Sequence, residues 1–312
     1  MSYNNNNNPY LAQDQMLNNQ QNRINPQYDP AYMNSSAPPP LMEQPPPYQM
    51  NHSTNNYNQN LTREQKFSGI ISKHEISQYF AGKLQLLNMF KIVFVFDDSG
   101  SMNAILNESP LNNGLMKATR WNELEYFAKI SIEIANIFNE NGTDVFFLNR
   151  PMARNVCKSE DLIPYFQTKP SGYTPIARVL QNVLQTNNQQ VLGERKLLII
   201  LVTDGEPTND NGQVDIQGFK NILKTRGPTT YTTIVSCTDE ENTMDYLNNW
   251  DRTIPRLDVV DDFRSERDEV KKSKGSSFSF SFGDYVVKSM IGSIDPELDR
   301  ADERPADCCM IL

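Results

Sequence analysis

Two apolar runs of strand length constrain this chain more than any other feature. Lys91-Ile92-Val93-Phe94-Val95-Phe96 and Lys196-Leu197-Leu198-Ile199-Ile200-Leu201-Val202 each end on a polar turn, Asp97-Asp98-Ser99-Gly100-Ser101 and Thr203-Asp204-Gly205-Glu206-Pro207. A strand that is apolar on both faces belongs inside a parallel sheet covered on both sides. The rest of the pattern agrees. Trp121–Phe138 carries Leu124, Phe127, Ala128, Ile130, Ile134, Ile137 and Phe138 at helical spacing, and Asp144–Leu148 reads as the next strand. Pro175–Leu184 reads as a helix with proline in its first turn, and Ile216–Leu223 as another. Thr230–Ser236 and Leu257–Val260 follow as strands with a helix over Met244–Trp250 between them, and a helix over Asp284–Ile294 closes the series. Phe278, Phe280 and Phe282 alternate ahead of it and read as core packing. Strands alternating with helices predict an α/β fold, a doubly wound, mainly parallel sheet flanked by helices. Functional loops in such sheets lie at the carboxyl ends of the strands, where both acidic turns fall.

Asp97-x-Ser99-x-Ser101, Gly172-Tyr173-Thr174-Pro175 and Thr203-Asp204-Gly205 stand in that order, at strand ends or just before a helix. In order, spacing and placement they resemble the metal-ion-dependent adhesion site of the von Willebrand factor A domain, and the resemblance covers residues 88–294. It implies a Rossmann-like sheet and one divalent-metal site made by Asp97, Ser99, Ser101, Thr174 and Asp204. Hydroxyl and carboxylate oxygens are hard ligands that suit Mg²⁺, with Mn²⁺ or Ca²⁺ as alternatives. Ser99, Ser101 and Thr174 offer neutral oxygens. The resemblance implies that Asp97 and Asp204 act through bound waters, and that an Asp or Glu of a protein partner completes the coordination. A metal among mostly neutral oxygens stays strongly electrophilic, which favours an acidic ligand. Two plainer readings stand beside this one: the polar residues only cap helices and turns, or the metal only stabilises the domain. Asp98 and Glu206 match no ligand position.

Catalysis is poorly supplied. A strand ending in Asp-x-Asp would resemble a phosphotransferase whose second aspartate is the acid/base, but that position is Ser99. The two histidines, His52 and His74, lie away from the strand-end loops, and neither a Gly-x-Ser-x-Gly elbow nor a Gly-rich phosphate loop occurs. The chain therefore reads as a non-enzyme, with a phosphotransferase-like hydrolase as the least favoured class. The net charge of −9 and the lack of a basic stripe argue against nucleic-acid binding.

Residues 1–65 read as a disordered head. The first 60 hold 15 Asn, 8 Gln and 9 Pro but only Asp14, Arg23, Asp29 and Glu43 as charges, too little apolar matter to drive folding. Within them Pro45-Pro46-Pro47-Tyr48 fits the PPxY pattern that WW domains take up as polyproline II, with Pro45, Pro46 and Tyr48 as contacts; chance in a Pro- and Tyr-rich tract is the alternative. Met1-Ser2-Tyr3-Asn4 has no basic stretch or apolar core of a secretory signal, and no apolar run reaches membrane-span length. Cys157 and Cys237 then read as reduced core residues of a cytosolic protein. The acidic tail, 295–312, ends Cys309-Met310-Ile311-Leu312, which fits a prenylation box whose terminal Leu favours geranylgeranyl. One prenyl chain anchors only marginally, so Cys308 is the expected second lipid site, by palmitoylation. Together these features describe a membrane-anchored adaptor on the cytosolic face. A tail acid, Glu297 or Glu303, is a further candidate occupant of the metal site, and Lys271-Lys272-Ser273-Lys274 reads as a solvated loop.

Overall fold

The computed structural model describes residues 61–238, 240, 244–247, 250–295 and 297–298. The PPxY segment, Cys308, Cys309 and Glu303 lie outside the described residues. Six strands, β1 (Phe90–Phe96), β2 (Thr143–Phe147), β3 (Ala153–Val156), β4 (Lys196–Thr203), β5 (Thr230–Ser236) and β6 (Leu257–Val260), form one sheet in the order β3-β2-β1-β4-β5-β6. All neighbours are parallel except β2 with β3. The helices are α1 (Arg63–Lys73), α2 (Gln78–Lys83), α3 (Arg120–Phe138), α4 (Ile163–Phe166), α5 (Ile176–Thr186), α6 (Gln189–Leu192), α7 (Ile216–Thr225), α8 (Trp250–Thr253), α9 (Phe263–Lys274) and α10 (Phe282–Ile291).

Strand alternation sends the two faces of the sheet into two cores. Ile92, Phe94 and Phe96 of β1 and Leu198, Ile200 and Val202 of β4 pack beneath α3 and α10. Val93, Val95, Leu197, Ile199 and Leu201 pack beneath α5 and α7. Phe94 is fully buried, and its truncation to alanine would cost about 3–5 kcal/mol. The chain leaves β1 for β2 on one side and returns to β4 on the other. The carboxyl ends of β1 and β4 thus form the crevice where such sheets hold ligands.

Local chemistry sets the helix ends. Thr119 and Asn122 form a capping box at the start of α3, Asp215 caps α7, and Ser281 and Asp284 cap α10. Pro175 sits at the cap of α5 rather than inside its first turn. Lys288 and Glu266 pair at 2.7 Å between α10 and α9, both almost completely buried.

Several elements depart from the sequence reading. Helix α1 begins at Arg63, inside the stretch read as head, because Thr62 and Gln65 make a capping box and Phe67, Ile70 and Ile71 lean on the core. Strand β3 escapes an apolar pattern, since Arg154 and Asn155 face outward and only its two end residues are buried. Of the helix expected over Met244–Trp250, the described part holds a 3₁₀ turn at Asp245–Leu247, and the single-turn α8 starts at Trp250. Lys271, Lys272 and Lys274 lie in the last turn of α9, where cations suit the helix dipole, and not in a loop. Helix α10 starts two residues early, because Ser281 caps it, and ends at Ile291 in a 3₁₀ turn. Cys237 is buried, but Cys157, just beyond edge strand β3, is exposed. Glu297 is held by Lys83 at 2.8 Å, and Lys83 also grips Asp295. That carboxylate is therefore engaged away from the strand-end loops. Among the described residues no helix is long and apolar enough to cross a membrane.

Candidate functional site

Four of the five candidate residues form one hydrogen-bonded chain at the ends of β1 and β4. The backbone N–H of Asp97 donates to the Val202 carbonyl at 2.9 Å, which locks the two strand ends in register. Asp97 is fully buried. Its Oδ1 accepts from the Ser99 backbone N–H at 2.8 Å and its Oδ2 from the Thr203 hydroxyl at 2.6 Å. The Ser99 and Ser101 hydroxyl oxygens are 3.0 Å apart, and the Ser101 hydroxyl donates to Asp204 Oδ1 at 2.8 Å.

Thr174 is held through its backbone by Thr208. Its N–H donates to the Thr208 hydroxyl at 2.9 Å, and its carbonyl accepts from the Thr208 N–H at 2.9 Å. The loop before it is tied to the first turn by Ser171 N–H to the Asp98 carbonyl, 2.8 Å, and Gly100 N–H to the Gly172 carbonyl, 3.1 Å. Gly172 has φ +104°, and a Cβ there would lie 2.5 Å from Asn149 Oδ1, so glycine is needed at this crossing. The side chain of Thr174 is nearly buried, and no hydrogen bond connects its hydroxyl to the other four.

Asp98 turns away from the cluster. Its Oδ2 accepts from Arg150 Nε at 2.6 Å and its Oδ1 from the Asn149 N–H at 2.8 Å, while Glu206 is exposed. Asp98 is thus engaged away from the cluster, in keeping with its spacing.

Sequence reasoning missed Arg120. Its Nη1 donates to Asp204 Oδ2 at 2.8 Å, and its Nη2 meets Glu240 Oε1 at 2.7 Å. Both Arg120 and Asp204 are buried. Arg120 is the first residue of α3, where a cation opposes the helix dipole. That mismatch was the available signal, because a cation so placed needs a nearby carboxylate. Thr203, read only as part of the turn with Asp204, bonds Asp97.

The electrostatics are asymmetric. Burial, reinforced by the negative charge of Asp204, pushes the Asp97 carboxyl up to about 7, against hydrogen bonds from Ser99 and Thr203 that favour its ionised form. Burial alone would disfavour the Arg120 charge, but its bonds to Asp204 and Glu240 outweigh this and hold it protonated. Among the described residues Asp97 has no such cation against it. With both carboxyls ionised, the two buried carboxylates and the one buried guanidinium leave a net charge of one negative unit, with hydroxyls beside them. A hard cation fits that set. Among the described residues no three His, Cys, Asp or Glu side chains gather as metal ligands, so a metal here would rest on hydroxyls as much as on carboxylates.

Fold and site together define a doubly wound α/β domain with a carboxylate–hydroxyl cluster at its switch point. The family model described as von Willebrand factor type A domain matches residues 91–264, and the chain belongs to that family. Domains of this family commonly mediate protein–protein interaction. No match was found among curated proteins. Among solved structures, an aspartate-to-alanine mutant of the PilB minor pilin from Streptococcus sanguinis is similar, at 14% identity and a TM-score of 0.41. The match covers 66% of this chain and 63% of that one.

Proposed function

We propose that Asp97, Ser99, Ser101, Thr174 and Asp204 hold one Mg²⁺ as a metal-ion-dependent adhesion site, and that the protein is a binding adaptor rather than an enzyme. The observation that carries this reading is buried Asp97, which among the described residues lacks a cationic partner and stands beside three hydroxyl-bearing residues. Ser99, Ser101 and Thr174 would supply neutral oxygens, and Asp97 and Asp204 the charge. A bound divalent ion supplies an electrophilic position for an acidic side chain. Adding two positive units to a buried net of one negative leaves one positive unit, which a partner's Asp or Glu would neutralise. Arg120 thus biases the loaded site toward an anionic ligand. Among the described residues the one histidine, His74, is engaged with Glu133 at 2.8 Å.

The membrane part of the reading rests on sequence alone. Cys309-Met310-Ile311-Leu312 has the form of a prenylation box, with Cys308 beside it for palmitate, and this would hold the domain at the cytosolic face of a membrane. Pro45, Pro46 and Tyr48 would add recruitment of a WW-domain protein.

The test is capture of a glutamate-bearing peptide by the full chain in Mg²⁺ and in chelator, with Ser99→Ala as control. Capture lost in chelator and in Ser99→Ala, with the fold intact, supports the adaptor. A melting temperature that falls in chelator, with no metal-dependent capture in Mg²⁺, would mean that the metal serves only stability.

A further inference from the structure

Ten large apolar side chains are exposed among the described residues, and five of them, Ile105, Leu115, Met116, Tyr173 and Val214, sit on the three loops that carry the candidate site. They fall into two groups. Ile105, Leu115 and Met116 lie between β1 and α3, the helix over one face of the sheet, whereas Tyr173 and Val214 precede α5 and α7 over the other. The loops that lead from the ends of β1 and β4 toward the helices on each face of the sheet therefore each carry exposed apolar side chains.

Both flanks are held in place by the loops' own bonds. Asn113 and Met116 exchange backbone hydrogen bonds, each 3.0 Å, around Gly114 at φ +58°, which makes a tight turn with Leu115 at its tip. The Asn112 side chain accepts from the Ala118 N–H at 2.8 Å, and the Arg120 N–H donates to the Ala104 carbonyl at 2.9 Å. The turn is thus anchored to the residue that grips Asp204. Leu115 is nonetheless fully exposed and Met116 is 79% exposed. Across the cluster, Gly212 at φ +77° lets the Tyr173 ring lie against backbone where any Cβ would stand 2.6 Å from it. Val214 bridges to Thr208, which itself holds Thr174. Ordered loops that present apolar side chains around a charged centre are a recognition surface, because their ordering entropy is already spent before a partner arrives.

We infer that the occupant is an extended segment of a partner protein in which one Asp or Glu is flanked on both sides by large apolar residues. The acid meets the cluster, and the flanking side chains cover Leu115 and Met116 on one side and Tyr173 and Val214 on the other. The inference rests on the carboxylate reading proposed above, with the apolar flanks as an independent observation.

Three nine-residue peptides test it on the full chain by fluorescence anisotropy in Mg²⁺ and in chelator. One has a central Glu between leucines, one the same Glu between serines, and one Gln between leucines. The leucine-flanked Glu peptide is expected to bind at least about tenfold more tightly than the serine-flanked one. The double change Leu115→Ser with Met116→Ser should reduce that preference severalfold, the Tyr173 and Val214 flank keeping the remainder, and leave the serine-flanked peptide's affinity and the melting temperature unchanged. Equal binding of the two Glu peptides overturns the inference, as does a double variant that weakens both alike or only alters self-association. A leucine preference that persists with Gln and in chelator supports the apolar flanks while overturning the carboxylate reading. No binding of any peptide at millimolar concentration overturns both.

Discussion

Arg120 donates to Asp204 at 2.8 Å with both side chains almost sealed from solvent, so a fixed cation stands inside a cluster whose other groups are carboxylates and hydroxyls. Breaking a buried pair by removing one partner leaves an uncompensated charge and is strongly destabilising. Arg120→Gln should therefore cost about 3 kcal/mol in denaturant unfolding in chelator. On the proposed reading the loss should shrink in Mg²⁺, because the metal would take over compensation of Asp204. An equal loss in both conditions would separate the pair from metal binding.

The crossing at Gly172 is a second lever on the site. An alanine there would have to hold φ near +104° and push against the Asn149 side chain. Gly172→Ala should destabilise by roughly 1–3 kcal/mol. It should also displace Thr174, which a Mg²⁺ titration of the variant would read as weakened binding.

Acid should loosen the amino-terminal helix before the sheet. Glu133 on α3 accepts from Lys73 of α1 and from His74, each at 2.8 Å. Burial pushes its carboxyl up, but these bonds and the Lys73 charge outweigh burial and hold it down at about 2. A group with a depressed folded value contributes stability that is fully present above its ordinary value of 4.5 and lost as pH falls toward about 2. That contribution is on the order of 2 kcal/mol after allowance for solvent screening. Glu133→Gln should flatten the slope of unfolding free energy between those two values, measured by denaturant titration at a series of pH.

The lipid reading has a direct check in cells. Cys309→Ser should move the protein from the membrane to the soluble fraction, and Cys308→Ser should weaken retention partly. Unchanged fractionation of Cys309→Ser would remove the anchor from the account.

What could be read in the sequence follows from which contacts are local. β1 and β4 were legible because strands buried on both faces leave uninterrupted apolar runs, and the turns after them place Asp97, Ser99, Ser101 and Asp204 by chain connection alone. β3 and α9 were not, because β3 buries only Ala153 and Val156, and α9 shows only Phe263 and Val270 as apolar residues, held by the Asp262 cap and by ring contacts of Phe263 with Phe280, Phe282 and Tyr285 that lie far along the chain. α1 was hidden beside a tract of a different character, with no buried residue to give a strong period. Arg120 and Asp204 are 84 positions apart; the cation at the start of α3 signals a need for some carboxylate, but nothing local says which one. The apolar flanks escaped notice for a similar reason: Leu115 and Val214 become neighbours of one site only when the sheet brings their loops to the same end.

The most direct measurement of the central claim is a calorimetric titration of Mg²⁺ into the metal-stripped full chain, repeated with Ser99→Ala and Asp97→Asn. The account predicts one saturable site in the unaltered protein and its loss in both variants, with circular dichroism unchanged. Absence of binding to the unaltered protein, or binding that survives both substitutions, would contradict it.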